Sequence, residues 1–312
     1  MKNPNPTDTN PTDPNPLDET PNASFTWPDG KTLALSVVLN VEEGSEMSVA
    51  QGDKKPEPVD ELGVAVSVPI RNFVNESNYL YGVRAGAPRI LRVLARHQVH
   101  ATVTAAAQAL ERAPALTKRL LAGNHEIAAH GWRWVHQFSL DEEKERAFIT
   151  RATESIKAST GTAPVGWLSR YLHTPHTRRI LSDLGYAYHM DDLSDDLPRW
   201  EQVEKTDGST RPLVCMPYAL DTNDMKFWTD PGYSPQDWLD YNRRTFDWLY
   251  EESQSLGPRM MSLGLHLRIM GRPGRIWALD EFLSHVGARD GVWIAPRREI
   301  ARRFATQVPW RG

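Results

Sequence analysis

Short apolar runs alternate with segments of helical periodicity from Trp27 to the end of the chain. Mostly apolar runs predict buried strands at 32–40, 101–105, 126–129, 164–167, 186–190, 213–217, 259–266 and 292–295. Apolar residues that recur every three or four positions predict amphipathic helices. The helical segments lie at 85–97, 114–122, 139–159, 174–185, 275–286 and 297–304, and a long helix begins at Ser234-Pro235. Ser139 and Glu142 match a capping box, which predicts that the third helix begins there.

The alternation of strands and helices predicts an α/β fold. Repeated strand–helix units imply parallel strands joined by right-handed crossovers. Seven or eight such units in the chain favour a closed or nearly closed barrel. An open doubly wound sheet is the alternative, but no glycine-rich phosphate loop follows the first strand. The polar segment 45–74 exceeds the usual length of a connection, which is typical of a loop at a functional site.

Residues 1–24 differ in composition from the rest of the chain. They consist mainly of Asn, Pro, Thr and Asp and can bury little apolar surface, which predicts a disordered or loosely attached arm. Residues 25–312 are then long enough to form a single catalytic domain.

Composition narrows the classes of partner. The 312 residues carry a net charge of −4, so neither nucleic acid nor an anionic membrane is expected as a partner. One cysteine, Cys215, excludes an internal disulfide and fits a reducing compartment. No apolar run reaches the length of a membrane span, and the N-terminus lacks a signal-peptide pattern. We therefore predict a cytoplasmic protein that acts on a small molecule.

Charged and polar residues follow four of the predicted strands. Glu42 and Glu43 follow the first strand, His130 and Arg170 follow two later ones, and His266 ends another. Barrel enzymes place their catalytic groups at these carboxyl ends. The residue types suffice for hydrolysis: a carboxylate deprotonates water, a histidine protonates the leaving group, and a cation stabilises charge. Glu42, His266 and Arg170 are the predicted catalytic residues.

Other residues are predicted to bind substrate. Tryptophans near polar residues favour a cleft that stacks flat rings, and Asp195 or Asp196 could orient His266, although a solvated turn explains that pair equally well. The predicted substrate-binding residues are Trp134, Trp167, Asp195, Asp196, Trp200 and Arg268.

These motifs resemble the polysaccharide deacetylase, or NodB-homology, superfamily. Asn40-Val41-Glu42-Glu43-Gly44 takes the place of its Thr-Phe-Asp-Asp-Gly strand end. His130 matches the first of two metal-binding histidines, but Trp134 stands where the second would be. Arg170 matches the arginine motif, and Leu265-His266 matches the late leucine–histidine motif.

Further motifs resemble one branch of that superfamily, the allantoinase-like (PuuE-type) and cyclic-imide-hydrolase proteins. They lie at 27–28, 79–86, 130–134, 195–200, 217–225 and 264–275. The resemblance implies a distorted (β/α) barrel of the NodB-homology type and a homo-oligomer, namely a tetramer. Two segments depart from the pattern of the branch, Val135-His136-Gln137 and Tyr171-Leu172-His173. Both are expected to lie near the substrate, so specificity is expected to differ from allantoin.

The predicted metal ligands form an incomplete set. Glu43 and His130 supply two ligands, whereas a hydrolytic zinc site uses three protein ligands and an open position. Trp134 cannot bind a metal, and the resemblance implies a branch that works without one. A site without a cofactor is favoured over one that holds zinc or another divalent metal.

Three functions remain open. The first is hydrolysis of a non-peptide carbon–nitrogen bond in a cyclic amide or imide such as allantoin, a hydantoin or a succinimide. There Glu42 would act as general base, His266 as general acid, and Arg170 or backbone N–H groups would polarise the carbonyl. The alternatives are a metal-dependent N-deacetylase of a sugar or peptidoglycan fragment, and a ligand-binding pseudoenzyme.

Overall fold

The computed structural model describes residues 25–59, 61, 63–64, 66–227 and 232–311. The predicted arm at 1–24 lies outside the described residues. The strands are Leu33–Val41 (β1), Thr102–Ala105 (β2), Glu126–Ala129 (β3), Gly166–Trp167 (β4), Tyr188–His189 (β5), Arg199–Glu204 (β6), Thr210–Cys215 (β7), Arg259–His266 (β8) and Val292–Ile294 (β9). The helices are Phe73–Tyr81 (α1), Ala87–Arg96 (α2), Ala107–Arg112 (α3), Pro114–Ala122 (α4), Glu142–Thr160 (α5), Thr177–Asp183 (α6), Pro235–Ser255 (α7), Leu267–Met270 (α8), Ile276–Gly287 (α9) and Arg297–Gln307 (α10).

The strands form one sheet in the order β6-β7-β5-β4-β3-β2-β1-β8, and β9 also pairs with β1. All pairs are parallel except β6 with β7. The sheet curls, and helices pack on it, so the predicted distorted (β/α) barrel is confirmed. Within the described ranges β7 and β8 are not paired. Arg297 spans this interval, because its Nη1 donates to the carbonyls of Met216 and Pro217 and its Nη2 donates to Ser262 Oγ.

Strand β1 occupies the centre of the fold. Its nine residues are all buried, which is why it is an almost continuous apolar run. It pairs with β8 from Leu33 to Asn40, and the register sets Asn40 opposite His266. The main core lies between this part of the sheet and the apolar faces of α2, α7 and α9. Because β1 and β8 end side by side, the residues after β1 meet His266.

The predicted strands are all present, and 126–129 and 259–266 agree to the residue. The predicted cap at Ser234 is confirmed by a capping box with Asp237. The predicted cap at Ser139 is wrong: α5 begins at Glu142, and Asp141 accepts the hydrogen bond from the Lys144 backbone. Strand β6 and helices α1, α3 and α8 were not predicted.

A π-helix at Gly82–Gly86 joins α1 to α2 and packs directly on α8. A Cβ atom on Gly86 would lie 2.0 Å from the Leu267 carbonyl oxygen, and one on Gly82 would lie 2.6 Å from Glu43 Oε1. Gly86 therefore requires glycine, because a backbone oxygen cannot move aside, whereas a side chain at position 82 would displace the Glu43 carboxylate. The π-helix thereby approaches Glu43 and the end of β8 closely.

No helix in the described part of the chain is both long and apolar enough to cross a bilayer. The cytoplasmic location and the homotetramer inferred from sequence both stay predictions.

Candidate active site

Glu42 lies at the centre of a buried group of charges just beyond β1. Its Oε2 accepts a hydrogen bond of 2.8 Å from Arg268 Nη1, and its Oε1 lies 3.4 Å from His266 Nε2. Burial alone would raise the pKa of Glu42, but the positive charges of His266 and Arg268 outweigh it and hold the pKa well below its usual range. Glu42 is therefore an ionised carboxylate.

His266 is held between two carboxylates at the end of β8. Its Nδ1 lies 2.7 Å from Asp224 Oδ1, and its backbone N–H donates to Asp224 Oδ2 at 2.8 Å. Burial disfavours a charged imidazole, yet Glu42 and Asp224 together raise the pKa of His266 to about 10. The imidazole is thus protonated at neutral pH and points Nε2–H towards Glu42, the arrangement that a general acid needs.

Asp224 was missed as the partner of His266. It lies fully buried in a short turn between β7 and α7, and its Oδ2 also accepts from the Met270 backbone. The expectation that Asp195 or Asp196 would orient His266 is wrong. Asp195 caps a local turn by accepting from the Leu197 backbone, and both aspartates line a separate cavity of about 330 Å³.

Glu43 is bound mainly by backbone groups, and its Oε1 also lies 3.5 Å from the Arg268 Nη1 that binds Glu42. Its Oε2 accepts from the Glu42 backbone and its Oε1 from the Arg268 backbone, both at 3.2 Å. Burial, with the charge of Glu42 adding to it, raises the pKa of Glu43 to about 7 although Arg268 acts in the other direction. The two neighbouring glutamates therefore differ in charge state over most of the acidic range.

Arg268 is fully buried and binds carboxylates on two sides. Its Nη1 contacts Glu42, and its Nε donates to Glu61 Oε1 at 2.5 Å. The guanidinium lies 4.3 Å from the centre of the Tyr79 ring. Its Nη2 is buried and has no hydrogen-bond partner among the described residues. A buried N–H donor without a partner is costly, so it is a candidate for binding a substrate oxygen.

His130 has both ring nitrogens engaged. Its Nε2 accepts a hydrogen bond of 3.1 Å from Trp134 Nε1, so the ring hydrogen lies on Nδ1 and is donated to the Leu168 carbonyl at 2.7 Å. At 3.8 Å, His130 Nε2 is too far from Glu42 Oε1 for a hydrogen bond. Trp134 thus occupies the lone pair that a metal would need.

The predicted metal ligands do not fit a metal site as they are arranged. His130 would have to give up the Trp134 N–H, and both oxygens of Glu43 accept backbone N–H groups. Elsewhere in the described chain, His189, Glu201 and Cys215 bring ligand atoms within 4.8 Å of one another. That group suits a cation poorly, because Arg178 and Arg199 both bind Glu201 and burial raises the pKa of the Cys215 thiol.

Arg170 is placed beside the site, and its guanidinium turns away from Glu42. It forms a bidentate ion pair with Glu57, at 2.5 and 3.1 Å, and lies 3.6 Å from the centre of the Trp134 ring. Its Nη1 also donates to the Trp134 carbonyl. These contacts hold Trp134 against His130. The cation that contacts the carboxylate of Glu42 is Arg268, whereas Arg170, which was predicted to polarise a carbonyl, is bound by Glu57.

Of two predicted substrate-binding tryptophans, Trp167 lies in the core and Trp200 packs partly buried against it. Trp167 is fully buried, packs edge-on against Tyr186 and donates to Ser169 Oγ. Trp200 packs against Phe304 of α10 and donates to the Val308 carbonyl. Trp167 is fully buried, so the expectation that it stacks on a ligand is corrected, whereas Trp200 is partly exposed beside a cavity and its role stays a prediction.

Comparisons with known proteins agree on the family. The polysaccharide deacetylase family profile matches residues 78–189. A Schizosaccharomyces pombe protein described as a candidate polysaccharide deacetylase is 33% identical over 302 residues, which cover 92% of this chain and 94% of that protein. A crystal structure of a probable polysaccharide deacetylase from Pseudomonas aeruginosa PAO1 superposes with a TM-score of 0.86 at 38% identity and covers 91% of this chain and 95% of its own.

A crystal structure of PuuE allantoinase is similar to the same degree. It superposes with a TM-score of 0.86 at 37% identity, and the match covers 91% of this chain and 94% of the allantoinase. The resemblance seen in the motifs is thus confirmed over nearly the whole length of the chain. This protein belongs to the polysaccharide deacetylase family and is a hydrolase of non-peptide carbon–nitrogen bonds.

Proposed function

We propose that this protein opens a cyclic amide or imide ring with water activated by Glu42. The observation that carries the proposal is the charge state of the central pair. Glu42 is an ionised carboxylate, and 3.4 Å away His266 is an imidazolium held by Asp224. A hydrolase of an amide needs a base for water and an acid for the leaving nitrogen at the same time. At neutral pH these two groups are in the required states.

The steps follow from these positions. Glu42 takes a proton from water, and the oxygen attacks the ring carbonyl carbon. The ring carbon–nitrogen bond then breaks, and the nitrogen takes the proton of His266 Nε2. A carboxylate with a low pKa is a weak base. Substrate entry that loosens the contact between Glu42 and Arg268 would raise this pKa and strengthen the base.

Arg268 is proposed to stabilise the developing oxyanion. Its Nη2 is a buried donor without a partner in the described structure, next to the Nη1 that contacts Glu42. A preorganised N–H donor in a buried site is typically worth about 10²–10³-fold in kcat. In this proposal Arg170 holds Trp134 in place, because Glu57 already binds its guanidinium.

A cyclic amide or imide is favoured over an N-acetyl group as the substrate, because of the way in which this site can activate the substrate carbonyl. The Trp134 N–H binds the lone pair of His130 Nε2 that a metal would need. In this arrangement the substrate carbonyl has to be polarised by hydrogen-bond donors. A planar imide or hydantoin carbonyl is already partly activated and needs less help than an acetamide. The likeness to a PuuE allantoinase at 37% identity supports the same class of substrate.

N-deacetylation of a sugar or peptidoglycan fragment is the second candidate. The family profile and the names of two relatives favour it. It would require Glu43 and His130 to lose their present hydrogen bonds and to bind a metal instead.

Turnover of allantoin, hydantoin, succinimide and a chitooligosaccharide by one purified preparation tests the proposal, with and without a chelator. Glu42→Gln from the same purification serves as the control for contaminating activity. We expect ring opening that a chelator leaves unchanged. Release of acetate that is lost on chelation and restored by zinc, with no ring opened, would refute the proposal and favour the deacetylase.

A further inference from the structure

Tyr171 has a strained backbone directly beside the site. Its φ of 59° lies in the left-handed region, and the Leu172 N–H donates to the Arg170 carbonyl at 2.8 Å. A hydrogen bond across a single residue with positive φ is the pattern of the rare, strained form of γ-turn. The conformation is costly for a residue with a large side chain, and such strain is concentrated at functional sites.

The turn leaves the Tyr171 side chain exposed next to Arg170, which contacts Trp134. More than half of the side chain is exposed, yet its hydroxyl end is partly desolvated. Desolvation, and next the negative charge of Glu42, raise the pKa of the phenol, whereas Arg170 and Arg268 act to lower it. The hydroxyl therefore lies within electrostatic reach of the catalytic charges while the ring faces solvent.

Two further rings continue the surface from Tyr171. His136 lies 6.0 Å from Tyr171 and 5.5 Å from Phe138, measured between ring centres. We call His136, Phe138 and Tyr171 the aromatic rim. Burial, and next the charge of Arg170, lower the pKa of His136, so this imidazole is uncharged at neutral pH. Phe138 is half exposed. The aromatic rim thus presents ring faces and no formal charge to an incoming molecule.

We infer that Tyr171 determines specificity, because its ring contacts an apolar or aromatic substituent on the cyclic amide or imide that Glu42 attacks. The inference rests on the proposed function and names its substrate class more closely. A ureido substituent such as that of allantoin would find no charged partner on the aromatic rim. An aryl or alkyl substituent would cover three ring faces that water now contacts, and aromatic side chains bind such groups well.

Three substitutions separate the ring, the hydroxyl and the backbone strain. Tyr171→Phe removes the hydroxyl, Tyr171→Ala removes the ring and keeps the strain, and Tyr171→Gly removes both. Trp248→Ala is the matched control, since Trp248 is an exposed aromatic residue on α7. The substrates are succinimide with phenylsuccinimide, and hydantoin with phenylhydantoin and allantoin.

We expect Tyr171→Ala and Tyr171→Gly to raise KM for the phenyl-substituted rings by about 10–100-fold and to leave the unsubstituted rings within about threefold. Tyr171→Phe and Trp248→Ala should match the wild type. Tyr171→Gly should melt above Tyr171→Ala, because glycine adopts this backbone without strain. Equal losses on substituted and unsubstituted rings would overturn the inference.

Calorimetric titration with phenylsuccinimide separates the inference from the proposed function. Weaker binding by Tyr171→Ala without any turnover by the wild type would leave the inference standing and refute ring opening. Turnover without preference for phenyl-substituted rings, and with equal binding by wild type and Tyr171→Ala, would refute the inference and leave ring opening standing.

Discussion

Replacing Asp224 by asparagine is expected to remove the general acid while leaving the imidazole in place. Asp224 Oδ1 faces His266 Nδ1, and Oδ2 accepts two backbone N–H groups, from His266 and Met270. An asparagine side chain has a single acceptor oxygen. If that oxygen accepts from the backbone N–H groups of His266 and Met270, the amide NH₂ faces His266 Nδ1. The imidazole then has to accept at Nδ1 and becomes neutral. A neutral imidazole is a very weak acid.

The size of the effect follows from the pKa of His266. Holding that pKa at about 10 instead of 6.5 takes on the order of 5 kcal/mol of favourable interaction with Glu42 and Asp224. Loss of the Asp224 charge, taken as roughly half of this, would by itself bring the pKa to about 8, and the amide NH₂ that faces Nδ1 lowers it further because an imidazolium has no acceptor there. The two effects together favour a neutral imidazole, so kcat is expected to fall by about 10²–10⁴-fold at neutral pH.

The assay is the pH dependence of kcat on a cyclic imide and on a less activated hydantoin. In the wild type, activity should persist to about pH 10 and then fall as His266 loses its proton. In Asp224→Asn the alkaline limb should move to lower pH, and the hydantoin should lose more than the imide. Asp221→Asn is the matched control, because Asp221 is exposed and its carboxylate accepts a hydrogen bond from the Tyr241 hydroxyl on α7.

An Asp224→Asn profile that superposes on that of the wild type would refute the reasoning. So would a uniform loss on both substrates with an unchanged alkaline limb. Either result would mean that His266 binds substrate without giving up a proton.

Three further substitutions test the other charges. Glu42→Gln should reduce turnover to background, because an amide takes no proton from water, and should lower the melting temperature, because Arg268 loses a charged partner. The pKa of Glu43 is about 7 in the native state against an ordinary 4.5, so the native state keeps this proton to higher pH than the unfolded state. The free energy of unfolding of the wild type should therefore decrease as the pH rises from about 4.5 to about 7. Glu43→Gln should lack this fall. Trp134→His should gain zinc affinity without faster turnover, because it frees His130 Nε2 and adds an imidazole.

The measurements are ring-opening rates, thermal unfolding from pH 4 to 8, and elemental analysis after incubation with zinc. Trp134→Phe is the control for the last substitution, since it frees His130 Nε2 without adding a ligand. Wild-type turnover by Glu42→Gln, parallel stability curves for Glu43→Gln and wild type, or equal zinc content in both Trp134 variants would contradict these predictions.

The parts of the site that sequence could predict are those at the ends of strongly apolar strands. β1 and β8 are mostly apolar runs, so their ends, and hence the meeting of Glu42 with His266, follow from the pattern. Trp134 was expected near His130 because it stands where the resemblance places the second of two metal-binding histidines. The hydrogen bond from its indole N–H to His130 could not be predicted, because it depends on the backbone conformation of the turn between the two residues.

Residues that reach the site from loops could not be predicted in the same way. Asp224 lies in a turn 42 residues before His266, and no local pattern shows that its carboxylate enters the core. Glu57 and Glu61 come from the long polar segment, where any acidic residue could equally face water. Trp167 was misplaced for a related reason, since nearby polar residues do not reveal which face of a short strand an indole occupies.

The pairing of β1 with β8 has a kinetic consequence during synthesis. Glu42 and Arg268 are separated by 226 residues, so a growing chain holds both glutamates long before their cation emerges. Contacts this distant form late, because closing so long a loop must precede any gain from it. Two adjacent carboxylates without Arg268 would not leave water, so the end of β1 cannot be buried until β8 has been made. Chains interrupted before β8 are therefore expected to lack the barrel altogether and to be degraded, and a folded but inactive fragment is not expected to accumulate.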